Sequence, residues 1–311
     1  MNPRSPDDSE RTSVLRSLEA QRRSVGLGEV GNYWNAHPVT VDKLAGLGSR
    51  SIEEIYERWC EGIDEHRRKF LESCRGKKVL EVGSGVGVDA RYLVENGIDY
   101  RGVDYSRNSL NICQRLLAAA DLRCGWVNAN AAVLPFADDE FDLVFSIGVL
   151  HHVPEMAKAC RELVRVAKPG ATVRVMLYNR HSYHYLLVNY VVRPLVWLML
   201  HVPGLSRLAG LAPGKFRDLY RIAEQEGFDR QRLLNASTDT STPGETNVNP
   251  LSRFMSEREI RALFDDLEQF EFFRSNLSYF PRIPFLHKLV EERFGFFITF
   301  MARKRVAAAA R

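Results

Sequence analysis

Two clusters in the 311-residue chain combine residue types and spacings that can do chemistry. The first is Val79-Leu80-Glu81-Val82-Gly83-Ser84-Gly85-Val86-Gly87, an apolar run that ends in three glycines at alternate positions. Glycine has no Cβ and takes positive φ readily, so such a turn brings backbone close to a bound molecule as the chain enters a helix. Asp104 closes the next apolar run, where a carboxylate can accept from both hydroxyls of an adenosine ribose. The second cluster is rich in imidazole. His151 and His152 follow a fourth apolar run, and Tyr178 and His181 follow a fifth. Ligands of open α/β sheets bind at the carboxyl edge of the strands, and a histidine there is suited to taking a proton from a hydroxyl.

Glycine spacing separates two kinds of adenosine cofactor. A dinucleotide fingerprint G-x-G-x-x-G would place its third glycine or alanine at position 88, which is Val88. Asp104 serves either kind and does not choose between them.

These residues need a sheet to hold them, and the pattern supplies one. Short apolar runs at 79–82, 100–104, 122–128, 141–147 and 171–177 alternate with helical stretches at 86–95, 108–119 and 154–167. Lys168-Pro169-Gly170 stops the last helix. Strands alternating with helices predict an α/β, doubly wound, mostly parallel sheet. The alternation breaks at Tyr178 and resumes near Ser256, where Ser256 and Glu259 form a capping box for a helix over 256–267. Two aromatic-rich runs, 270–277 and 294–301, then read as a closing pair of strands.

The expected organisation is therefore a mobile leader (1–24) and an N-terminal helical cover (25–77). A cofactor core (78–177), a helical cap or lid insertion (178–255), closing elements (256–303) and a flexible tail (304–311) follow. The leader is polar, without the apolar centre of a signal peptide. On a helix, Asn189 and Arg193 fall on one stripe of an otherwise apolar segment, and Pro194 kinks that helix or starts a new one. The segment 183–203 reads as a buried cap, an interfacial membrane contact or a homodimer face. The Ser/Thr/Pro/Gly-rich stretch 237–249 is long enough for a lid.

Composition narrows the class. With 45% apolar and 26% charged residues the chain is neither disordered, collagen-like nor coiled coil. A net charge of +4 is too small a surplus for a nucleic-acid partner. Five scattered cysteines form no C-x-x-C pair, which argues against a disulfide framework or zinc cluster and for reduced thiols in the cytoplasm.

The motifs resemble class I S-adenosylmethionine-dependent methyltransferases of the type 11, small-molecule kind. The resemblance rests on residues 81–87, Val103-Asp104-Tyr105-Ser106, and Leu134-Pro135-Phe136 followed by Phe141-Asp142-Leu143-Val144. Gly148-Val149-Leu150-His151-His152-Val153 and Lys168-Pro169-Gly170 complete it over about residues 78–177. It implies a Rossmann-like methyltransferase fold of seven strands with one antiparallel strand, and S-adenosyl-L-methionine as cofactor. The implied cofactor contacts are Glu81, Gly83, Ser84, Gly85, Gly87, Asp104, Tyr105, Asn130, Ala131 and Ile147. Asn130 stands where the family usually has Asp near the adenine amine, and its amide oxygen can still accept. Residues 32–38 resemble the N-terminal segment of a subgroup, in which Tyr33 and Trp34 would face the sulfonium or anchor the N-terminal helix.

The reading that follows is in-line methyl transfer to a small, bulky or apolar molecule, oxygen before carbon. His151, His152 or His181 would be the base, and Tyr178, Tyr183 and Arg253 would contact substrate, with no metal. The alternatives are a non-catalytic S-adenosylmethionine-binding partner protein and an NAD-dependent oxidoreductase.

Overall fold

The computed structural model describes residues 8–22, 25–38, 52–63, 65–212, 214–238, 248–277 and 284–306. Helices α1 (Asp8–Arg22), α2 (Leu27–Ala36), α3 (Ile52–Gly62) and α4 (Glu65–Glu72) precede the first strand. Then β1 (Lys78–Val82), α5 (Val88–Glu95), β2 (Asp99–Asp104), α6 (Arg107–Ala118) and β3 (Gly125–Asn128) alternate. The alternation continues through β4 (Phe141–Ile147), α7 (Met156–Val166) and β5 (Ala167–Asn179). A helical stretch follows: α8 (Tyr183–Leu187), a π-helical turn (Val188–Val192), α9 (Arg193–His201), a 3-10 segment (Leu205–Leu211), α10 (Gly214–Glu226) and α11 (Arg230–Ser237). The last elements are β6 (Phe254–Met255), α12 (Glu257–Leu263), β7 (Leu267–Ser275), α13 (Pro284–Phe294) and β8 (Phe297–Lys304). The chain forms two compact units, residues 1–177 with 257–272 and 299–311, and residues 178–256 with 273–298.

The sheet order is β3-β2-β1-β4-β5-β8-β7, with β6 paired to the end of β5. The expected seven strands thus lie along the path, and a two-residue eighth strand adds to β5. The pairs β1–β2, β1–β4, β2–β3 and β4–β5 are parallel. Strand β8 reverses: Asn179 N–H donates to Phe296 O at one end, while Arg303 donates to Gly170 O at the other. Val79, Leu80, Val82, Leu143, Val144 and Phe145 are fully buried, as expected of central strands covered on both faces. The Lys168-Pro169-Gly170 stop is a bulge rather than a loop. Phe141 pairs with Ala167 and Leu143 with Thr172, so β5 advances further than β4, and Gly170 takes φ 78°.

Three expectations change. Residues 8–22 are a helix, not a mobile leader: Val14 and Leu18 are buried, and Arg11–Asp265 and Glu10–Arg258 ion pairs fasten it. Three apolar residues on one stripe sufficed to dock it. The helix at 256–267 is shorter, since β7 already begins at Leu267. The expected flexible tail starts too early, since Lys304 ends β8 and its ammonium donates to Asp139 at 2.7 Å and Ala167 O at 2.8 Å. Residues 307–311 and most of the 237–249 lid (239–247) lie outside the described residues.

Helices α3 and α4 are held by mixed aromatic and ionic contacts. Tyr56 donates to Glu95 at 2.5 Å, Arg91 lies over its ring, and Arg67 covers Trp59 while pairing with buried Asp89. In the second unit, Val196, Leu219, Ile222, Ala223, Leu233, Ala236 and Val248 form a separate core.

Glu81 sits inside the first unit, buried, accepting from the Tyr100 hydroxyl at 2.6 Å. Burial pushes its carboxyl well above the usual carboxylate range, and the Asp89 carboxylate pushes the same way. The folded state therefore keeps a proton that the unfolded chain releases near pH 4.3, about the free-glutamate value. The stability it contributes is complete below that pH and is lost as pH rises through the folded pKa. Glu81→Gln keeps an oxygen for Tyr100 and has no proton to lose, so its stability relative to wild type should increase with pH. Urea midpoints measured from about pH 5 to 8 check this; parallel profiles would show that Glu81 is ionised.

Candidate functional site

Strand register brings the chemistry-bearing loops to one edge. Val82 pairs with Val103, Glu81 with Phe145, and Ile147 with Met176. The glycine loop, Asp104 and the His151–His152 turn therefore all leave the sheet at its carboxyl side. The first turn is fixed by Val103 O, which accepts from Gly83 N–H at 2.7 Å and Ser84 N–H at 3.0 Å. Gly83, Gly85 and Gly87 have φ of 85°, 53° and 82°. A Cβ on Gly83 would lie 2.1 Å from Val149 Cγ2, and one on Gly87 1.7 Å from Cys113 Sγ. Those two glycines are thus required by the protein's own packing. A Cβ on Gly85 would meet nothing within 4 Å, so only there is the backbone open to a ligand.

Asp104 ties this loop to the next strand. One carboxylate oxygen accepts from Gly85 N–H and the other from Ser106 N–H, both at 2.8 Å. Burial raises its pKa, against the pull of the Ser106, Gly85 and Tyr105 amides. Each oxygen keeps a lone pair for a ribose hydroxyl. Ser84 carries a buried hydroxyl with no hydrogen-bond partner among the described residues. That orphaned donor, the open face of Gly85 and the Asp104 carboxylate fit the polar groups of an adenosine-type sulfonium cofactor.

Other implied contacts fall in different places. Glu81 faces the core, bonded to Tyr100, so it shapes the strand end from behind. The Asn130 amide oxygen accepts from Ala132 N–H at 2.9 Å and is engaged in its own turn. Ala131 is buried beside it, and Ile147 ends β4 half-buried.

Helix α2 docks at the same edge. The Asn35 side-chain oxygen accepts from Asn108 N–H at 3.0 Å and from Ser106 Oγ at 3.4 Å, and its carbonyl accepts from Asn108 Nδ2 at 3.1 Å. Tyr105 packs on Gly31, where a Cβ would come within 2.1 Å of the ring. Trp34 lies 4.8 Å from the His152 ring, which lies 4.1 Å from that of His151. Tyr33 meets Trp34 edge-on at 5.0 Å and stacks on His37 at 4.5 Å. His151 is 0% and His152 4% exposed. Tyr33 and Trp34 thus pack at this edge, with Trp34 against His152. Sequence reasoning missed the parts of Asn35 and Val149, because neither has a spacing that announces its partner.

The expected substrate contacts lie in the second unit. Tyr178 is 3% exposed, its ring packed against Phe254, Phe296 and Phe297 at 4.6–6.1 Å. Arg253 is likewise 3% exposed and held inside. Tyr183 is half-buried at the start of α8, and His181 is exposed, its N–H donating to the Asn179 side chain. A buried amide network locks 249–252. Asn235 donates to Pro250 O and accepts from Ser252 N–H, and Asn249 donates to Ser252 Oγ.

A family model described as a methyltransferase domain matches residues 80–175. The methyltransferase GfsG of Streptomyces halstedii is 34% identical over 146 residues, 46% of this chain and 48% of that protein, so the chain spans about half the length of that relative. The ubiquinone biosynthesis O-methyltransferase of Chromobacterium violaceum is 31% identical over 235 residues, 71% of this chain and 92% of the relative. Among solved structures, the [4+2]-cyclase SpnF superposes with a TM-score of 0.51 at 15% identity, over 90% of this chain and 96% of that one. A likeness at that identity speaks for the fold alone.

The glycines should separate experimentally. Gly87→Ala adds backbone strain to a clash with fully buried Cys113 and should lower folding stability by about 2–5 kcal/mol in urea titrations. Gly85→Ala should cost only about 1–2 kcal/mol of stability while weakening S-adenosylmethionine binding in calorimetry. Equal stability losses with unchanged binding would mean that Gly85 is not the open face.

Proposed function

The chain belongs to the class I S-adenosylmethionine-dependent methyltransferases, and on that premise we propose that it moves the donor's methyl group to an oxygen of a small, bulky, apolar acceptor. The observation that carries the reading is the convergence, at one sheet edge, of the open Gly85 backbone, the Asp104 carboxylate and two imidazoles. The oxygen preference is supported by the O-methyltransferase similar to this chain over 92% of its length, which is named for ubiquinone biosynthesis. The apolar acceptor is supported by the name of the same relative.

When bound, S-adenosylmethionine supplies a sulfonium that is its own leaving group. The chain's residues hold and orient. Asp104 would accept from the ribose hydroxyls, Ser84 and the backbone at Gly85 would hold the amino-acid end, and Asn130, Ala131 and Ile147 would serve the base. The His151–His152 pair takes the acceptor's hydroxyl proton, and Trp34 keeps water from the imidazoles. Holding nucleophile and methyl in line is the protein's main contribution to rate, and proton removal adds about 10²–10⁴.

The burial of both imidazoles favours a second reading, in which the chain binds the donor and transfers nothing. Methyl-labelled S-adenosylmethionine, incubated with cell extract that is then split into organic and aqueous fractions, decides between them. Label in the organic fraction is expected. Label only in water overturns the apolar acceptor, and calorimetric binding without any transfer favours the second reading.

His152→Ala should lower turnover by about 100-fold with donor affinity within about twofold, and should alter the pH–rate profile. A fall in melting temperature with the remaining turnover unchanged per folded molecule would make His152 a packing residue.

A further inference from the structure

Helix α9 is apolar on both sides. Val196 is fully buried in the core of its own unit with Leu219, Ile222 and Leu233. Away from it, Val191, Leu195, Leu198 and Val202 are all exposed, and they recur at four-, three- and four-residue intervals, so they line one stripe. Tyr190 (73% exposed), Trp197 (47% exposed) and His201 form the adjacent stripe, Trp197 stacking on His201 at 4.6 Å. A helix apolar all round belongs in a core or against lipid, and an exposed patch of this kind marks an interaction surface. Among the described residues no helix is long and apolar enough to cross a membrane.

The segment that carries this patch is basic in sequence, while the neighbouring α10 brings Asp218, Glu224 and Glu226, and Asp229 lies near Arg193. Residues 178–217 hold Arg180, Arg193, Arg207, Lys215 and Arg217 and not one Asp or Glu, the first acid being Asp218. Arg193 is anchored to the Asn189 side chain and to Arg230 O, and Arg207 is exposed. Against a second copy of itself, such a segment would set like charges facing each other. An anionic bilayer complements it: the basic groups meet lipid phosphates, while Trp197 and Tyr190 have the amphipathic rings that settle at headgroup level.

We propose that the open face of α9 and the π-helical turn before it dock on the surface of an anionic lipid bilayer, lying in the interface without crossing it. Docking needs no acceptor and no methyl transfer, so it stands or falls apart from the activity proposed above.

The test is cosedimentation of the full chain with phosphatidylcholine vesicles that contain phosphatidylglycerol, beside vesicles of phosphatidylcholine alone. Binding should favour the anionic vesicles by at least about tenfold and weaken in high salt. Brominated acyl chains should quench fluorescence in wild type, and the quenching should be lost in Trp197→Phe. The double variant Tyr190→Ser/Trp197→Ser should bind at least about tenfold more weakly while S-adenosylmethionine affinity is retained. If that variant fails to fold, the salt dependence and quenching of wild type decide. No binding, equal binding to both vesicles, or a lipid-free dimer that Tyr190→Ser/Trp197→Ser dissociates would each overturn the proposal.

Discussion

The carboxylate of Asp104 holds two backbone amides that belong to different loops, Gly85 N–H after β1 and Ser106 N–H after β2. This interaction makes the edge of the sheet a site. Without it, the glycine turn is tied to β2 only through Val103 O, and nothing fixes the open face of Gly85 beside the acid. The clamp is also propagated outward. Ser106, whose amide completes it, caps α6 by accepting from Ser109 N–H and contacts Asn35 of α2. A single side chain thus links the first strand, the second strand, the following helix and the N-terminal cover.

The N-terminal cover has a second anchor in its rings. Gly31 is the one place on α2 where the Tyr105 ring can lie against the backbone, and three residues later Trp34 reaches His152. Spacing along a helix makes these two contacts neighbours. Both imidazoles are buried at this edge.

The second unit is built by other means. Among its described residues, Asn235, Asn249 and Ser252 bond one another and the backbone, and Asn179 donates to Gly295 O. Buried amides satisfied in this way fix loop geometry and leave little for a ligand. The unit also exposes apolar side chains on α9.

The core strands and helices were legible in the sequence because burial imposes a period on them. Runs such as 79–82 and 141–147 are apolar throughout since parallel strands are covered on both faces. The glycine spacing and Asp104 were legible for a related reason, as backbone conformation and a charged hydrogen-bond acceptor admit few residue types. Residues 8–22 were misread because three apolar side chains are a weak local signal, and only the ion pairs with Asp265 and Arg258 show what they dock on. Tyr178 reads as a substrate contact from its place after a strand and Arg253 from its charge, and the structure buries both. Burial is a property of what packs around a residue, and its neighbours lie far off in the chain: Phe254 and Phe296 for Tyr178. By itself the sequence determined the sheet, its order of chemistry-bearing loops and the family. Only the tertiary structure decided which of those side chains are spent on packing and which stay open, because that depends on non-local contacts that no spacing encodes.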